Sequence, residues 1–191
     1  MTCIFILMTT GCKINNPANP YFLTFTVVDW VDVFTRKIYR DLVIDCFKYC
    51  RNFKGLQIWA YVIMSNHIHC ILSAKNNNLS DVLRDFKRHS ASQILKAIQT
   101  PDESRRDWMM KRFEFAARSN VRNTSHQFWT HDNYPKELLT TKFTVQKLDY
   151  IHLNPVRAGL VDKAEDWIYS SARNYMLLPS LMEMDVMDIN F

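Results

Sequence analysis

Two histidines one residue apart, His67 and His69, lie in the otherwise apolar stretch MSNHIHCIL at residues 64–72. Because successive side chains of a β-strand point to opposite faces, the two imidazoles would share one face and the apolar Ile68 and Cys70 the other. Two imidazoles at this spacing can bind one divalent cation together. The alternative is a pair of surface histidines on a half-exposed sheet, and the spacing alone leaves both interpretations open.

A tyrosine and an amide stand four residues apart in DYIHLNP, at residues 149–155. On a helix, Tyr150 and Asn154 share a face, so Asn154 can give the same cation an oxygen ligand with Tyr150 as a nucleophile beside it. A tyrosine hydroxyl has a pKa of about 10 and must lose its proton in such a reaction. A cation on a phosphate oxygen would polarise the phosphorus. The set suits phosphodiester cleavage through a covalent phosphotyrosine; packing of Tyr150 in the core is the alternative.

The segments that must position these side chains indicate an α+β fold. β-branched and aromatic runs predict strands, and apolar residues at helical spacing predict helices. The order is strand, helix, strand, strand, helix and a later strand, which is typical of a ferredoxin-like fold, an antiparallel sheet with helices packed on one face. Strands are predicted at 21–30, 56–64, 67–74 and 127–134, and helices at 33–53, 79–98, 140–155 (ended or kinked by Pro155) and 164–178.

The composition excludes several classes of protein. The 191 residues, nearly half of them apolar, suffice for a domain with its own core. Only three glycines argue against a glycine-rich phosphate loop. Five cysteines without a disulfide-like spacing predict reduced thiols in a cytoplasmic protein. No apolar run approaches the roughly 18 residues of a membrane helix, so we expect no membrane partner.

Three motifs in order resemble a known family. MSNHIHCIL (64–72) looks like the signature of the HUH nucleases, which is histidine, a bulky hydrophobic residue and histidine. YIHLNPVRAGLV (150–161) resembles the second signature of their tyrosine transposase branch, the REP-associated and related insertion-sequence transposases. DWIYSSARNY (166–175) resembles the tryptophan and double-serine segment that follows there, and YFLTFTVVDW (21–30) their first strand.

The resemblance covers about residues 20–176, a transposase-like HUH nuclease domain, and leaves an N-terminal lead at 1–19 and a C-terminal tail at 177–191. It implies a ferredoxin-like fold and a DNA nuclease and strand transferase that uses Mg²⁺ or Mn²⁺. Such enzymes carry out DNA transposition on single-stranded, often hairpin-bearing DNA. The tyrosine forms a 5′-phosphotyrosine link and frees a 3′-hydroxyl, which later attacks that link to rejoin DNA.

Carried over by motif, the metal ligands are His67, His69 and Asn154, and the nucleophile is Tyr150. His152, two residues from Tyr150, would point elsewhere on the helix. Asn154 stands where the insertion-sequence branch tends to have glutamine, so its reach to the metal is shorter. That branch tends to form dimers that share active sites, whereas the REP-associated branch is able to work as monomers, so the resemblance leaves a homodimer open.

The charge of the chain favours a polyanionic partner. The formal net charge is +5 and the pI is about 9.0. Between residues 84 and 122, ten Lys or Arg residues stand against five acids. Basic side chains would bind phosphates, and an aromatic ring would stack on an unpaired base. The predicted DNA-binding residues are Arg84, Lys87 and Arg88 in a helical patch, and Arg105, Arg106, Trp108, Lys111 and Arg112 in a loop.

The function predicted from the sequence is therefore a transposase-type single-stranded DNA endonuclease and strand transferase. One alternative is a catalytically decayed or domesticated protein that binds single-stranded or hairpin DNA; the intact set of two histidines, tyrosine and asparagine argues against decay. A replication-initiator-like nickase shares this chemistry and would be favoured by a helicase domain. A metal-dependent hydrolase that uses water needs an acidic general base near the histidines, and the motif contains none.

Overall fold

The computed structural model describes residues 14–118 and 125–187. Residues 1–13 of the predicted lead and 188–191 of the predicted tail lie outside this part of the chain. The strands are β1 (Tyr21–Thr26), β2 (Leu56–Ile63), β3 (His67–Ala74) and β4 (Lys136–Glu137). The helices are α1 (Lys37–Lys54), α2 (Leu79–Ile98), α3 (Arg106–Arg118), α4 (Thr141–Arg157) and α5 (Ala172–Tyr175), with single 3-10 turns at Val28–Trp30, Val33–Thr35 and Ala164–Asp166.

The four strands form one antiparallel sheet in the order β2-β3-β1-β4. β2 and β3 are joined by a hairpin, and β1 lies beside β3 with Thr26 opposite His67 and Thr24 opposite His69. The predicted ferredoxin-like, α+β class is confirmed by this order, in which β1 and β2 are separated by β3 and connected through α1.

One face of the sheet carries the larger part of the core. Phe25, Ile68 and Leu72 are completely buried there against α1 and α2. Phe47 of α1 and Phe86 of α2 stack with their ring centroids 4.6 Å apart, which packs the two helices against each other. Burial of these large apolar side chains is the main stabilising contribution to the fold, about 2 kcal/mol for each.

The opposite face carries α4, which adds a layer beyond the one helical face predicted from the sequence. Leu148 and Ile151 of α4 pack against Phe22, Val62 and Ile71 of the sheet. Thr140 caps the helix by accepting a hydrogen bond from the Phe143 backbone N–H. This second layer brings the predicted catalytic helix onto the face that carries the two histidines.

Pro155 does not end α4, which contradicts the boundary predicted at that residue. The helix continues to Arg157 and ends in a Schellman motif, in which the Leu160 N–H bonds to the Pro155 carbonyl and the Gly159 N–H to the Val156 carbonyl. Gly159 has a φ of 68°, a conformation that glycine adopts without strain. Pro155 lies within the last turn, so only one helical hydrogen bond is lost to it.

The strand predicted at 127–134 is absent, and the fourth strand is instead Lys136–Glu137. The preceding segment does follow the edge of β1: the Thr130 N–H bonds to the Thr26 carbonyl, and the Thr24 N–H to the Asn133 carbonyl. Tyr134 then adopts a φ of 46°, a left-handed conformation that stops the hydrogen bonding with β1 before a regular strand forms.

Two other predicted elements are shorter than expected. β1 ends at Thr26 rather than at residue 30, because Asp29 and Trp30 have left-handed backbone conformations with φ of 53° and 55°. The helix predicted at 164–178 is reduced to the turn Ala164–Asp166 and the short α5. No helix within residues 14–118 and 125–187 combines the length and apolar character needed to span a membrane.

The start of the predicted C-terminal tail packs along β2. The Asp185 backbone N–H donates to the Ile58 carbonyl, and the Asp185 side chain accepts from the Ile58 N–H at 3.1 Å. Met182, three residues earlier in the tail, is buried in the core. The described part of the tail therefore covers the outer edge of the sheet at β2.

Candidate active site

His67 and His69 lie next to each other on the face of β3 that α4 covers. Their rings meet edge to face with centroids 4.7 Å apart. His69 is buried and His67 half-buried, so the face is less open than the sequence predicts. The shared face itself is as the alternating spacing predicts, and the pair is not a pair of surface histidines.

Asn66 determines which nitrogen of His67 carries the proton. The Asn66 amide Nδ2 donates to the Trp30 carbonyl at 3.2 Å and to Asp32 Oδ1 at 3.0 Å. Its Oδ1 must then accept, and it lies 2.8 Å from His67 Nδ1. The proton of His67 is therefore on Nδ1, which leaves the lone pair of Nε2 free for a metal ion.

His69 is held on both sides of its ring. Its Nδ1 lies 2.9 Å from Thr24 Oγ1, and Phe22 stacks on the ring at a centroid distance of 5.5 Å. Burial, together with the charges of His67 and Lys147, lowers the pKa of His69 to about 3. Burial also lowers the pKa of His67. Both rings are thus neutral at pH 7, the form in which imidazole binds a metal.

Tyr150 of α4 reaches this pair from the other layer. Its ring meets the His69 ring edge to face at 5.0 Å, and its hydroxyl lies 3.4 Å from His69 Nε2. That distance marks a long, weak hydrogen bond. The side chain is half-buried: its ring packs against the apolar cluster between α4 and the sheet, and its hydroxyl faces His69 Nε2.

Two cations that the sequence analysis did not single out flank Tyr150. Lys147 Nζ lies 5.5 Å from the centre of the Tyr150 ring and 5.0 Å from that of Phe22, and the Arg157 guanidinium carbon lies 5.9 Å from the Tyr150 ring. Burial and the charge of Lys136 lower the pKa of Lys147. Positive charge at this position attracts phosphate. Helical spacing could have identified both, since residues 147, 150, 154 and 157 lie along one side of α4.

Asn154 lies one turn after Tyr150 and is half-buried. Its side chain makes no hydrogen bond to any residue that the structure describes, so its amide oxygen is available. Within the same part of the chain, no three His, Cys, Asp or Glu side chains are grouped as a metal site. Two imidazoles together with an amide oxygen are donor types that suit a divalent ion.

His152 belongs to a different contact. Its Nε2 lies 2.9 Å from Ser171 Oγ, and its ring meets that of Tyr175 at 5.0 Å. The residue joins α4 to α5, away from the space between His67 and Tyr150.

The three basic residues predicted as a patch on α2 lie in two different environments. Arg84 and Arg88 are exposed and pair with acids of their own helix, Asp81 and Asp85. Lys87 is half-buried, and its ammonium donates to the Thr130 carbonyl and to Asn133 Oδ1, each at 2.7 Å. Lys87 thus holds the segment beside β1, rather than extending an exposed patch with Arg84 and Arg88.

The predicted basic loop is not a loop from residue 106 onward but the helix α3. Arg105 precedes it and is bound to the buried carboxylate of Glu103 and to the Asp32 carbonyl. Arg106 pairs with Asp107 in the first turn. The side chain of Arg105 therefore has a structural role.

An exposed row of side chains remains on α3, which we call the α3 stripe. It recurs at positions i, i+3, i+4 and i+7, so its members lie side by side. The stripe consists of Trp108, Lys111, Arg112 and Phe115, of which Phe115 is 67% exposed. Phe115 was not among the DNA-binding residues predicted from the sequence, although its spacing from Trp108 and Arg112 is helical.

Comparisons with known proteins identify the family and the fold. A family model described as IS200-like transposase matches residues 21–126, more than half of the chain. This range includes both histidines and ends before Tyr150. A solved structure of a REP-associated tyrosine transposase bound to a REP hairpin superposes with a TM-score of 0.61 at 20% identity. The superposition covers 95% of this chain and 94% of that one, which shows a common fold. A search of curated proteins gave no match.

Proposed function

The chain belongs to the IS200-like transposase family, and from this premise we propose that it is a single-stranded DNA endonuclease and strand transferase with Tyr150 as the nucleophile. One observation carries the proposal. The Tyr150 hydroxyl lies 3.4 Å from His69 Nε2, although the two residues are 81 positions apart in the chain. The fold thus brings the hydroxyl of Tyr150, from α4, to the histidine pair of β3.

His67, His69 and Asn154 would hold Mg²⁺ or Mn²⁺ in this proposal. Asn66 keeps His67 Nε2 unprotonated, and burial keeps both rings neutral. Two nitrogen donors favour Mn²⁺ over the harder Mg²⁺. The bound cation supplies polarisation of a phosphate oxygen and offsets charge in the transition state.

The reaction at Tyr150 then follows from its surroundings. The tyrosyl oxygen attacks phosphorus, the bond from phosphorus to the 3′ oxygen breaks, and that oxygen leaves as a 3′-hydroxyl with the proton lost from the tyrosine. Lys147 and Arg157, which flank the Tyr150 ring, offset the negative charge of the phosphate under attack. Attack of a 3′-hydroxyl on the phosphotyrosine reverses the step and joins DNA strands.

Single-stranded DNA with a hairpin is the proposed partner. The solved structure of similar fold has a REP hairpin bound. Arg84 and Arg88 on α2 and the α3 stripe offer exposed cations for its phosphates. Lys111 has no ion-pair partner among the described residues and is the cation of the stripe most available to DNA.

Cleavage of oligonucleotides tests the proposal. Labelled single strands and hairpins from the flanks of the gene would be incubated with Mn²⁺, Mg²⁺ or a chelator, using the wild type and a His67→Ala/His69→Ala variant. We expect a fragment with a free 3′-hydroxyl and a second fragment retained on the protein, both lost with chelator and in the variant. Release of a free 5′-phosphate instead would indicate a nuclease that uses water. Binding without any cleavage would favour the DNA-binding alternative.

A further inference from the structure

We propose that Trp30 is a stacking platform for an unpaired base beside the phosphate that Tyr150 attacks, and that the strand continues from there over the α3 stripe. This inference deepens the proposed function and rests on it. It assigns a nucleotide-binding role to a residue of the turn after β1, outside the motif that carries the histidines.

The Trp30 side chain is exposed to solvent rather than packed in the core. It is 63% exposed, while Trp129 is buried and donates its indole N–H to Ser90. Trp59 also uses its indole N–H within the fold. The Trp30 indole makes no hydrogen bond to any residue in the described ranges, yet its ring meets that of His67 at a centroid distance of 5.9 Å. A large apolar surface is therefore exposed at the edge of the histidine pair.

The backbone that holds Trp30 in this position is strained. Asp29 and Trp30 are successive non-glycine residues with φ of 53° and 55°. The left-handed region is unfavourable for a tryptophan, and such strain persists where the surroundings enforce it. Asn66 supplies one such restraint by donating to the Trp30 carbonyl, and the same amide fixes the proton of His67. The turn that displays the indole is thus tied to a predicted metal ligand.

The turn also leads to the α3 stripe. Asp29 Oδ2 lies 3.9 Å from Arg112 Nη1, so the turn lies beside Arg112 of the stripe. Its exposed surface combines two aromatic rings, Trp108 and Phe115, with two cations. Cations bind phosphates, and aromatic rings stack on bases that are unpaired. Because the bases of a duplex are already stacked on one another, this combination favours a single strand.

Binding measurements in the Tyr150→Phe background separate stacking from cleavage. Single-stranded oligonucleotides from the gene flanks would carry one 2-aminopurine, moved along the strand from one oligonucleotide to the next. We expect fluorescence quenching at one position, which is lost in Trp30→Ala and kept in Trp30→Phe. The dissociation constant should rise about 10-fold in Trp30→Ala.

Phe53→Ala is the matched control. Phe53 is 72% exposed in the last turn of α1. It lies at the end of the sheet where β3 finishes, about 23 Å along that strand from His67. We expect its removal to change neither quenching nor affinity, because it is remote from the turn at Trp30.

The outcomes distinguish this inference from the proposed function. Unchanged affinity and quenching in Trp30→Ala would overturn the stacking platform even if wild type forms a covalent adduct. Equal losses in Trp30→Phe and Trp30→Ala would also overturn it, because a phenyl ring can still stack. Conversely, quenching that depends on Trp30, in a protein that never cuts DNA, would support the platform while the proposed function fails.

Discussion

Tyr39 and Tyr150 are both surrounded by positive charge, but their hydroxyls are held very differently. Tyr39 is buried and donates to Glu103 Oε2 at 2.6 Å. Tyr150 is half-buried, and its only hydrogen-bonding neighbour in the described part of the chain is His69 Nε2 at 3.4 Å. The short hydrogen bond to a carboxylate gives the Tyr39 hydroxyl a structural role. The long contact leaves the Tyr150 hydroxyl available for chemistry.

The Glu103 carboxylate distinguishes the surroundings of Tyr39 from those of Tyr150. Burial alone would raise the pKa of Glu103, but hydrogen bonds from Arg105 and Tyr39 hold it at about 2. Burial and Glu103 in turn raise the pKa of Tyr39. The histidine pair has no such anion among its described neighbours, so the Tyr150 hydroxyl and the facing side of the His69 ring are not bound to a carboxylate.

The largest effect on stability is expected for Glu103→Gln. Glutamine keeps one acceptor oxygen but loses the negative charge and turns an N–H donor toward the donors of Arg105 and Tyr39, which should lower the free energy of unfolding by about 3 kcal/mol. Urea denaturation would measure this loss, and DNA cleavage by the folded variant should be unchanged. An unaltered urea midpoint would contradict the structural role of this cluster.

The same cluster predicts an acid dependence. The pKa of Glu103 is lower in the folded protein than in the unfolded chain, so its contribution is present above pH 4.5 and is lost as the pH falls toward 2. The difference in stability between wild type and Glu103→Gln should therefore shrink across that range in urea titrations.

Asn154→Ala should reduce metal-dependent cleavage by about 30-fold at limiting Mn²⁺, because it removes the oxygen donor beside Tyr150. The free energy of unfolding should change little, since the amide makes no hydrogen bond within the described structure. Cleavage rates measured against Mn²⁺ concentration would show the loss, partly recovered at high metal. A variant with wild-type metal dependence would remove Asn154 from the site.

Asn66→Ala should weaken metal-dependent cleavage by about 10-fold, because His67 would lose the partner that keeps its proton on Nδ1. Asn174→Ala is the matched control: its amide bonds to the Met182 carbonyl and holds the tail instead. The apparent Mn²⁺ affinity of the two variants gives the comparison, and equal effects would mean that Asn66 acts only through the fold.

Lys111→Ala should have the smallest effect, a two- to threefold weaker affinity for single-stranded DNA with a salt slope reduced by about 1. Lys48 is similarly exposed, on α1, and Lys48→Ala should change neither. Titrations at several salt concentrations would measure both variants. Identical slopes for the two would argue that DNA does not follow the α3 stripe.

The sequence predicted best what depends on local periodicity. The bounds of β3 and α2 and the shared face of His67 and His69 were predicted correctly, because alternation and helical spacing are properties of short segments. The strand predicted at 127–134 was wrong, since the left-handed conformation at Tyr134 interrupts the pairing of this segment with β1.

The roles of the charged residues were harder to predict. Lys87 and Arg105 resemble their exposed neighbours in sequence, and only tertiary contacts show that they are held by carbonyls and by Glu103. Lys147 and Arg157 show the opposite case. Their spacing from Tyr150 was visible in the sequence, but their contact with its ring depends on α4 packing on the histidine face.

Comparing Tyr150→Phe with Tyr39→Phe most directly tests whether the loosely held hydroxyl is the reactive one. Each protein would be incubated with single-stranded DNA from the gene flanks and Mn²⁺, separated on a denaturing protein gel, and mapped by peptide mass spectrometry. We predict a DNA-bearing band for wild type and Tyr39→Phe, linked at Tyr150 and absent from Tyr150→Phe and with chelator. Cleavage that survives in Tyr150→Phe, or DNA linked to another residue, would contradict the account.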